Sequence, residues 1–218
     1  MKISPISRIR KRWIFKFYLI RLFFTSSKKK RLFIDCGSNL GQGFTFFRKY
    51  FPNRLYDFIL LEPNPNCVAT LKEKYSNIDN LEIIEAAVWT EKGTLDLFGL
   101  VEDERGSKSD GASIVANHNT VFYETDNTKA TKVSTIDFAA LLKSKQSYDE
   151  IIIKMDIESS EYDVLEKLIK EDLFDKVSFI FIEFHSQFMV GEEKKITEER
   201  EHEIKKYLNA SHKLYIWH

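Results

Sequence analysis

RLFIDCGSNLGQG, residues 31–43, joins a strand-forming run to a turn that contains three glycines and opens a helix. Glycines at such a turn let the backbone approach a ligand closely, and the helix that follows offers free N–H donors. The spacing matches neither the Gly-x-Gly-x-x-Gly motif of dinucleotide enzymes nor the Gly-Lys-Ser/Thr of phosphate-binding loops, so NAD and nucleoside triphosphates are not supported. A ligand-binding turn is predicted, and a purely structural turn is the alternative.

From residue 31 onward the sequence alternates β-rich runs with helical stretches, which is the pattern of a mostly parallel sheet with helices on both faces. A long polar segment at 99–130 is predicted to be a lid or a substrate-contact loop. Ligands of open α/β sheets bind at the carboxyl ends of the strands, so the functional residues are expected there. Strands are predicted at 31–35, 57–61, 81–85, 94–98, 150–155, 177–184 and 213–217, and helices at 44–51, 64–75, 135–143, 160–170 and 192–209.

Charge is distributed unevenly along the 218 residues. Residues 1–31 contain eleven Lys or Arg and no acid, whereas the remaining residues carry 22 basic and 33 acidic side chains, a net charge of −11. We therefore expect an N-terminal extension, 1–30, ahead of one enzyme-sized domain, 31–218. The two cysteines, Cys36 and Cys67, follow no disulfide spacing and are predicted to be free thiols in a reducing, cytoplasmic compartment.

The extension contains an apolar run, 13–24, that is interrupted by Lys16 and Arg21. A helix of this length rises about 18 Å, which is too short to span a bilayer, and the charges argue against a cleaved signal peptide. We expect a basic amphipathic helix that packs on the domain or on a second subunit, which leaves a monomer and a homodimer both open. Peripheral contact with a membrane surface is the first alternative, and a nucleic-acid-binding arm is the least favoured one.

Two further motifs follow the second and third predicted strands. Glu62-Pro63 ends the second strand 21 residues after Gly41, the separation at which an acid reaches the ribose hydroxyls of a bound nucleoside. A glutamate that faces solvent at a turn is the alternative. Ala86-Ala87 closes the third strand with small side chains that leave room for a flat adenine ring.

Ionisable residues also stand at the ends of two apolar strands. Lys154, Asp156 and Glu158 alternate along one of them, so their side chains are expected on one side, and Glu183 and His185 end the next strand in the same way. If these strands are neighbours, Asp156, Glu183 and His185 converge to hold a divalent cation, Mg²⁺ or Mn²⁺, or to supply an acid–base group. A structural role is the alternative for His185. The other four histidines are expected at the surface: His118, His202, His212 and His218.

Four motifs, FIDCGSNLG at 33–41, EP at 62–63, AAV at 86–88 and IKMDIE at 153–158, resemble those of the FkbM family of S-adenosylmethionine-dependent methyltransferases. The resemblance covers about residues 31–186 and implies the Rossmann-like α/β fold of class I methyltransferases. It implies that the first motif lines the methionine part of the cofactor, that Glu62 binds its ribose and that Asp156 stands at the reaction centre. Ser159 departs from the glycine that the family usually has, which bears on the tightness of this turn. The predicted cofactor-binding residues are Asp35, Gly37, Ser38, Asn39, Gly41, Glu62, Pro63, Ala86 and Ala87.

The resemblance also implies a reaction, because the family methylates oxygen, most often a hydroxyl of a sugar or polyketide. The Asn-Pro-Pro-Tyr-type motif of amino-directed nucleic-acid methyltransferases is absent from the sequence. We therefore expect methyl transfer to a hydroxyl of a small molecule or glycan, with Asp156 and His185 as catalytic residues. Either a cation held by Asp156 with Glu183 or His185 activates the hydroxyl, or Asp156 or His185 is a general base without a metal. A metal-dependent glycosyltransferase that uses Asp156 and Glu158, and a non-catalytic protein that binds through the basic arm, are the competing interpretations.

Overall fold

Strands and helices alternate from Arg31 onward in the computed structural model, which describes residues 29–101, 103, 105–211 and 213–217. The strands are β1 (Arg31–Cys36), β2 (Asp57–Leu61), β3 (Leu81–Ile84), β4 (Ala87–Trp89), β5 (Gly93–Leu97), β6 (Thr131–Asp137), β7 (Glu150–Met155), β8 (Val177–Ile182) and β9 (Leu214–Ile216). The helices are α1 (Gln42–Phe47), α2 (Pro65–Lys74), α3 (Phe138–Ser144), α4 (Glu161–Lys170) and α5 (Gly191–Ala210).

Six of these strands form one sheet in the order β3-β2-β1-β7-β8-β9, and each neighbouring pair is parallel. The chain moves outward from β1 to β3 in one direction and from β7 to β9 in the other, so the order reverses between β1 and β7. At such a reversal a crevice opens outside the carboxyl ends of the strands. The predicted Rossmann-like α/β fold with a mostly parallel sheet is confirmed.

Alternating side chains of the central strands build two cores, one on each face of the sheet. In β1, Leu32 and Ile34 enter the core that α3, α4 and α5 cover, whereas Phe33 enters the core that α1 and α2 cover. The second core is rich in aromatic rings, and the Phe33 centroid lies 5.4 Å from that of Phe47 and 5.3 Å from that of Phe51. Helices therefore cover both faces, as predicted.

A second, three-stranded sheet in the order β4-β6-β5 differs most from the sequence prediction. The predicted helix at 135–143 begins only at Phe138, because Thr135 and Ile136 belong to β6, which pairs with β5 antiparallel and with β4 parallel. The first turn of α3 is then capped by Asp137, whose Oδ1 accepts from the backbone N–H of Ala140 at 3.1 Å. Ala87 does not close the third strand, which ends at Ile84, but begins β4 instead.

Smaller differences concern the ends of elements. Helix α1 begins two residues earlier than predicted and ends four residues earlier, and the following turns carry Phe51 back into the core. Strand β8 ends at Ile182 rather than at 184, and a short 3₁₀ turn, Ser186–Phe188, follows. Helix α5 and strand β9 lie within a residue of their predicted bounds.

Several predictions concern the N-terminal extension, and residues 1–28 lie outside the described part of the chain. The amphipathic helix at 13–24 and its packing or membrane contact therefore stay predictions. Among the helices that the structure does describe, none is both long and apolar enough to cross a bilayer. Cys36 and Cys67 are buried free thiols, as predicted.

Candidate functional site

A cavity of about 310 Å³ opens at the carboxyl ends of β1, β2 and β7, where the strand order reverses. Of the nine predicted cofactor-binding residues, six line it: Gly37, Ser38, Asn39, Glu62, Pro63 and Ala87. The other three, Asp35, Gly41 and Ala86, lie outside its lining. The sequence motifs thus meet at one place, and their ligand-binding roles stay predictions.

The turn after β1 passes very close to the end of β7, and only glycine fits there. Gly37 has a φ of +74°, and a Cβ added to it would lie 1.8 Å from the backbone oxygen of Asp156. The N–H groups of Gly37 and Ser38 both donate to the carbonyl of Leu61, at 3.0 and 3.1 Å. The end of β2 and the end of β7 therefore hold this turn from both sides.

Gly41 does not line the cavity and instead has a structural role. Its φ is +78°, and its carbonyl accepts from the hydroxyl of Tyr75, the residue that follows α2, at 2.7 Å. A Cβ at this position would meet that hydroxyl at 2.4 Å. Gly41 thus allows α2 to pack against the start of α1.

Glu62 is a buried carboxylate on the wall of the cavity. Its two oxygens accept from the backbone N–H groups of Asn39 at 2.7 Å and Asn64 at 2.9 Å. Burial raises the pKa of Glu62 to about 7, although these two hydrogen bonds act to lower it. A carboxylate offers about four acceptor positions, so two remain for the hydroxyls of a ligand.

Lys154, in β7, supports the floor of the cavity. Its Nζ donates to the Gly37 carbonyl at 2.7 Å and lies 3.2 Å from Asp35 Oδ1 and 3.3 Å from Asp156 Oδ2. Burial opposes the lysine charge, but the two carboxylates raise the pKa of Lys154 above its usual value. The sequence motif contains Lys154, and its role as the link between three parts of the site became visible only in the structure.

Asp156, Glu158 and His185 form the acid–base cluster at the junction of β7 and β8. His185 Nε2 lies 3.5 Å from Asp156 Oδ1 and 3.5 Å from Glu158 Oε1, and one ligand atom from each of the three residues lies within 4.8 Å of the others. The strands are neighbours, which was the condition for this cluster, but Glu158 rather than Glu183 joins Asp156 and His185. Glu183 lines an adjoining cavity instead.

The charges in this cluster are strongly coupled. Burial disfavours the charge on His185, but Glu161, with its Oε1 3.3 Å from Nδ1, together with Glu158 and Asp156, raises the pKa of His185 to about 10. Burial raises the pKa of Glu158 to about 8, although His185 opposes the change. His185 is therefore a cation at neutral pH, which makes it a poor general base.

The chain turns sharply after Asp156 through two left-handed residues, Glu158 at φ +50° and Ser159 at φ +73°. Each such residue costs about 1–2 kcal/mol when it is not glycine. Tertiary contacts hold the turn, because the Ser159 hydroxyl lies 2.8 Å from His118 Nδ1 and donates to the His185 carbonyl at 3.2 Å. The turn thus keeps its left-handed form with serine in place of the family's usual glycine.

His118 was expected at the surface, and this expectation is wrong. Its side chain is fully buried, with Nε2 3.4 Å from Glu158 Oε2. Burial, and then the charge of His185, lower the pKa of His118 to about 3, so it is neutral. No local pattern around His118 predicts this, because Glu158, Ser159 and His185, which lie around its ring, are 40 to 67 residues away in sequence. His202 is exposed, as expected, whereas His212 and His218 lie outside the described residues.

The polar segment predicted at 99–130 forms a wall of the cavity through Ser109, Asp110, Ala112 and Ile114. The Asn39 side chain donates to the Ser109 carbonyl at 3.1 Å. Asn64 donates to the Ser107 carbonyl at 2.8 Å. The segment is therefore attached to the turns after β1 and β2, while its action as a lid stays a prediction.

A second cavity, of about 260 Å³, adjoins the first and shares Asp110, Asp156 and Glu158 with it. The remaining residues that line it come from the polar segment and from the chain after β8: Arg105, Gly111, Thr120, Val121, Phe122, Glu183, His185 and Phe188. Asp156 thus stands where the two cavities meet.

Comparisons with known proteins place the chain in a family. Methyltransferase FkbM from Methylobacillus flagellatus KT is 13% identical, with a TM-score of 0.39, over 67% of this chain and 30% of that one. The yeast methylglyoxal/isovaleraldehyde reductase Gre2, complexed with NADPH, is 10% identical, with a TM-score of 0.42, over 85% of this chain and 56% of that one. The chain thus spans less than a third of the first structure and just over half of the second, and no curated protein matched it. A family model described as the methyltransferase FkbM domain matches residues 35–214, which is most of the chain. The protein therefore belongs to the FkbM methyltransferase family.

Proposed function

We propose that the protein is an S-adenosylmethionine-dependent O-methyltransferase that acts on a hydroxyl of a small molecule or glycan, and most specifically on a sugar hydroxyl. The observation that carries the proposal is the position of Asp156 at the junction of two cavities, one of which contains Gly37 and Glu62. A donor and an acceptor bound in adjoining cavities meet at a carboxylate, which is the arrangement that methyl transfer to a hydroxyl needs.

The first cavity suits S-adenosylmethionine in its chemistry. Glu62 has acceptor positions for the two ribose hydroxyls, and Gly37 lets the backbone come close to the methionine part. Ala87 and Val88 supply an apolar wall for the adenine ring. When bound, the cofactor supplies an activated methyl group on a positively charged sulfur.

The protein has two tasks at the reaction centre, which are to orient the acceptor hydroxyl and to accept its proton. Asp156 is the proposed general base because it faces both cavities and its side chain is one quarter exposed. His185 stays protonated and lies 3.5 Å from Asp156 Oδ1, so it fixes the orientation of the carboxylate rather than taking the proton. Lys154 holds the other oxygen of Asp156 at 3.3 Å.

A cation held by Asp156, Glu158 and His185 is the alternative route to the same reaction. Metal binding requires a neutral imidazole, whereas the carboxylates around His185 favour its protonated form. We therefore expect methyl transfer in EDTA to stay within about twofold of its untreated rate. The measurement is transfer of labelled methyl to an acceptor taken from a glycan screen. Loss of activity in the chelator, with recovery on addition of Mg²⁺ or Mn²⁺, would favour the cation route instead.

Glu62→Ala is expected to weaken binding of S-adenosylhomocysteine by about tenfold to a hundredfold, because the hydrogen-bond acceptor for the ribose hydroxyls is lost. Isothermal titration calorimetry measures the effect directly. Glu85→Ala is the matched control, since Glu85 lies near the end of the next strand with a half-exposed side chain in a weak ion pair with Lys72. Unchanged affinity in Glu62→Ala would contradict the assignment of Glu62.

The same calorimetry tests the proposed function as a whole. Wild-type protein is expected to bind S-adenosylhomocysteine with a measurable heat. The absence of a heat from folded protein would end the methyltransferase proposal and return the glycosyltransferase and binding-protein interpretations to consideration.

A further inference from the structure

The second cavity contains an apolar feature that the transfer reaction itself does not require. Val121 and Phe122 line this cavity at the tip of a turn and remain 88% and 43% exposed. The turn is anchored, because Thr120 N donates to the Tyr123 carbonyl at 3.0 Å and the buried Tyr123 hydroxyl donates to Gly111 O at 2.7 Å. Val121 and Phe122 therefore give this mostly polar cavity an apolar surface on an anchored turn.

Arg105 supports this turn from one side. Its guanidinium carbon lies 4.0 Å from the centroid of the Phe122 ring. The N–H groups of the guanidinium bind Asp103, Asp110 and Ser109, with Asp103 at 2.7 Å. Arg105 is thus a positioning residue for Phe122, and its charge is already neutralised by acids of the same segment.

The ionisable lining of the cavity is predominantly acidic. Its acidic side chains are Asp110, Asp156, Glu158 and Glu183, and its basic side chains are Arg105 and His185. With Glu158 counted as neutral, because its pKa is raised to about 8, three carboxylates still face two cations. Within the described lining, both cations are engaged by carboxylates, since His185 lies between Asp156, Glu158 and Glu161. An acceptor that carries a carboxylate or phosphate would meet more acidic than basic side chains in this lining, and like charges brought together in a site disfavour binding.

We propose that the second cavity is the acceptor subsite, that Phe122 and Val121 form a platform for the C–H face of a sugar ring, and that its carboxylates select a neutral or amine-bearing ring over an acidic one. This inference rests on the proposed function for the reaction, whereas its binding selectivity can be tested without turnover. Carboxylates accept hydrogen bonds from ring hydroxyls and attract an ammonium group, while the aromatic face packs against the ring carbons.

Three probes with the same ring test the selectivity: methyl β-D-glucopyranoside, methyl β-D-glucosaminide and methyl β-D-glucuronide. Saturation-transfer NMR titrations use the full chain with S-adenosylhomocysteine present. We expect the first two to bind and the glucuronide to bind at least about tenfold more weakly. Glucuronide binding equal to or tighter than that of the neutral probe overturns the proposal, and so does the absence of a signal from all three.

Phe122→Ala tests the platform. This variant is expected to bind the neutral probe about threefold to tenfold more weakly, because the contact between the aromatic ring and the sugar ring is lost. Tyr207→Ala is the matched control, since Tyr207 lies on α5, outside both cavities, with a similar exposure of 40%. Equal affinities in Phe122→Ala and the control would exclude the platform. Glu183→Gln is expected to reduce the ratio of neutral-probe affinity to glucuronide affinity by about threefold, since one acidic side chain of the lining is removed.

Calorimetry with S-adenosylhomocysteine on the same preparations distinguishes a failure of the acceptor subsite from a failure of the proposed function. A normal cofactor-product heat with no probe selectivity contradicts the acceptor subsite and leaves the proposed function standing. Probe selectivity without that heat contradicts the proposed function and leaves the subsite standing as a sugar-binding site.

Discussion

Gly37→Ala is expected to weaken S-adenosylhomocysteine binding by at least about a hundredfold, because both the backbone conformation and the space at this position exclude a side chain. The added Cβ would lie 1.8 Å from the Asp156 carbonyl oxygen, and the residue must hold a φ of +74°. The turn has to move away from β7, and the Lys154 hydrogen bond to the Gly37 carbonyl, 2.7 Å long, moves with it. Isothermal titration calorimetry measures the loss.

Gly191→Ala is the control for this prediction. Gly191 also has a left-handed φ, +63°, but no atom lies within 4 Å of an added Cβ. It therefore carries a similar backbone penalty, about 1–2 kcal/mol, without the clash and away from the cavity. Thermal unfolding of both variants shows how much of the loss of binding is caused by a loss of protein stability. Binding by Gly37→Ala within about threefold of wild type would mean that the cofactor does not approach this turn.

Asp156→Asn is expected to lower the rate of methyl transfer by about a hundredfold to ten-thousandfold, while S-adenosylhomocysteine binds as in wild type. Asparagine keeps the size of the side chain but cannot take a proton from the acceptor. It also loses the negative charge that His185 Nε2 and Lys154 Nζ face at 3.5 and 3.3 Å. The rate is measured with labelled cofactor and an acceptor from the glycan screen, and the affinity by calorimetry.

Asp96→Asn is the matched variant for this experiment, because Asp96 is a partly exposed aspartate of β5 that lies outside both cavities and pairs with Lys132 at 2.8 Å. Its rate and affinity should equal those of wild type. A rate for Asp156→Asn above about one tenth of wild type would remove Asp156 from the role of general base. A parallel loss of affinity would instead indicate that the residue serves the cofactor cavity.

The central part of the fold could be predicted from local patterns. Strand β7 is built around the apolar run 151–153 and matches its predicted bounds, and so does β2 with the apolar run 58–61. Such runs are buried on both faces in parallel sheets, so local sequence reports them well. The smaller sheet could not be predicted, because Ala87–Trp89 becomes a strand only by pairing with Thr135–Asp137. Short segments take their conformation from a distant partner rather than from their own propensity.

In the acid–base cluster, too, local sequence predicted some residues and only the tertiary structure showed the others. Alternation along an ideal strand predicts Glu183 beside His185, but β8 ends at Ile182, so that alternation no longer applies. The left-handed turn at Glu158 and Ser159 brings Glu158 into the cluster instead. The burial of His118 depends on a contact with Ser159, which lies 41 positions further along the chain.

The amino-acid sequence by itself determined the parallel α/β architecture, the glycine turn after β1 and the acids at the strand ends. These features depend on side-chain periodicity, on glycine's backbone freedom and on the rule that parallel strands end at one edge. The tertiary structure alone decided which ionisable groups touch, which of them carry charge, and that two cavities meet at Asp156. Those properties depend on distances and burial between segments far apart in the chain, and local sequence does not specify them.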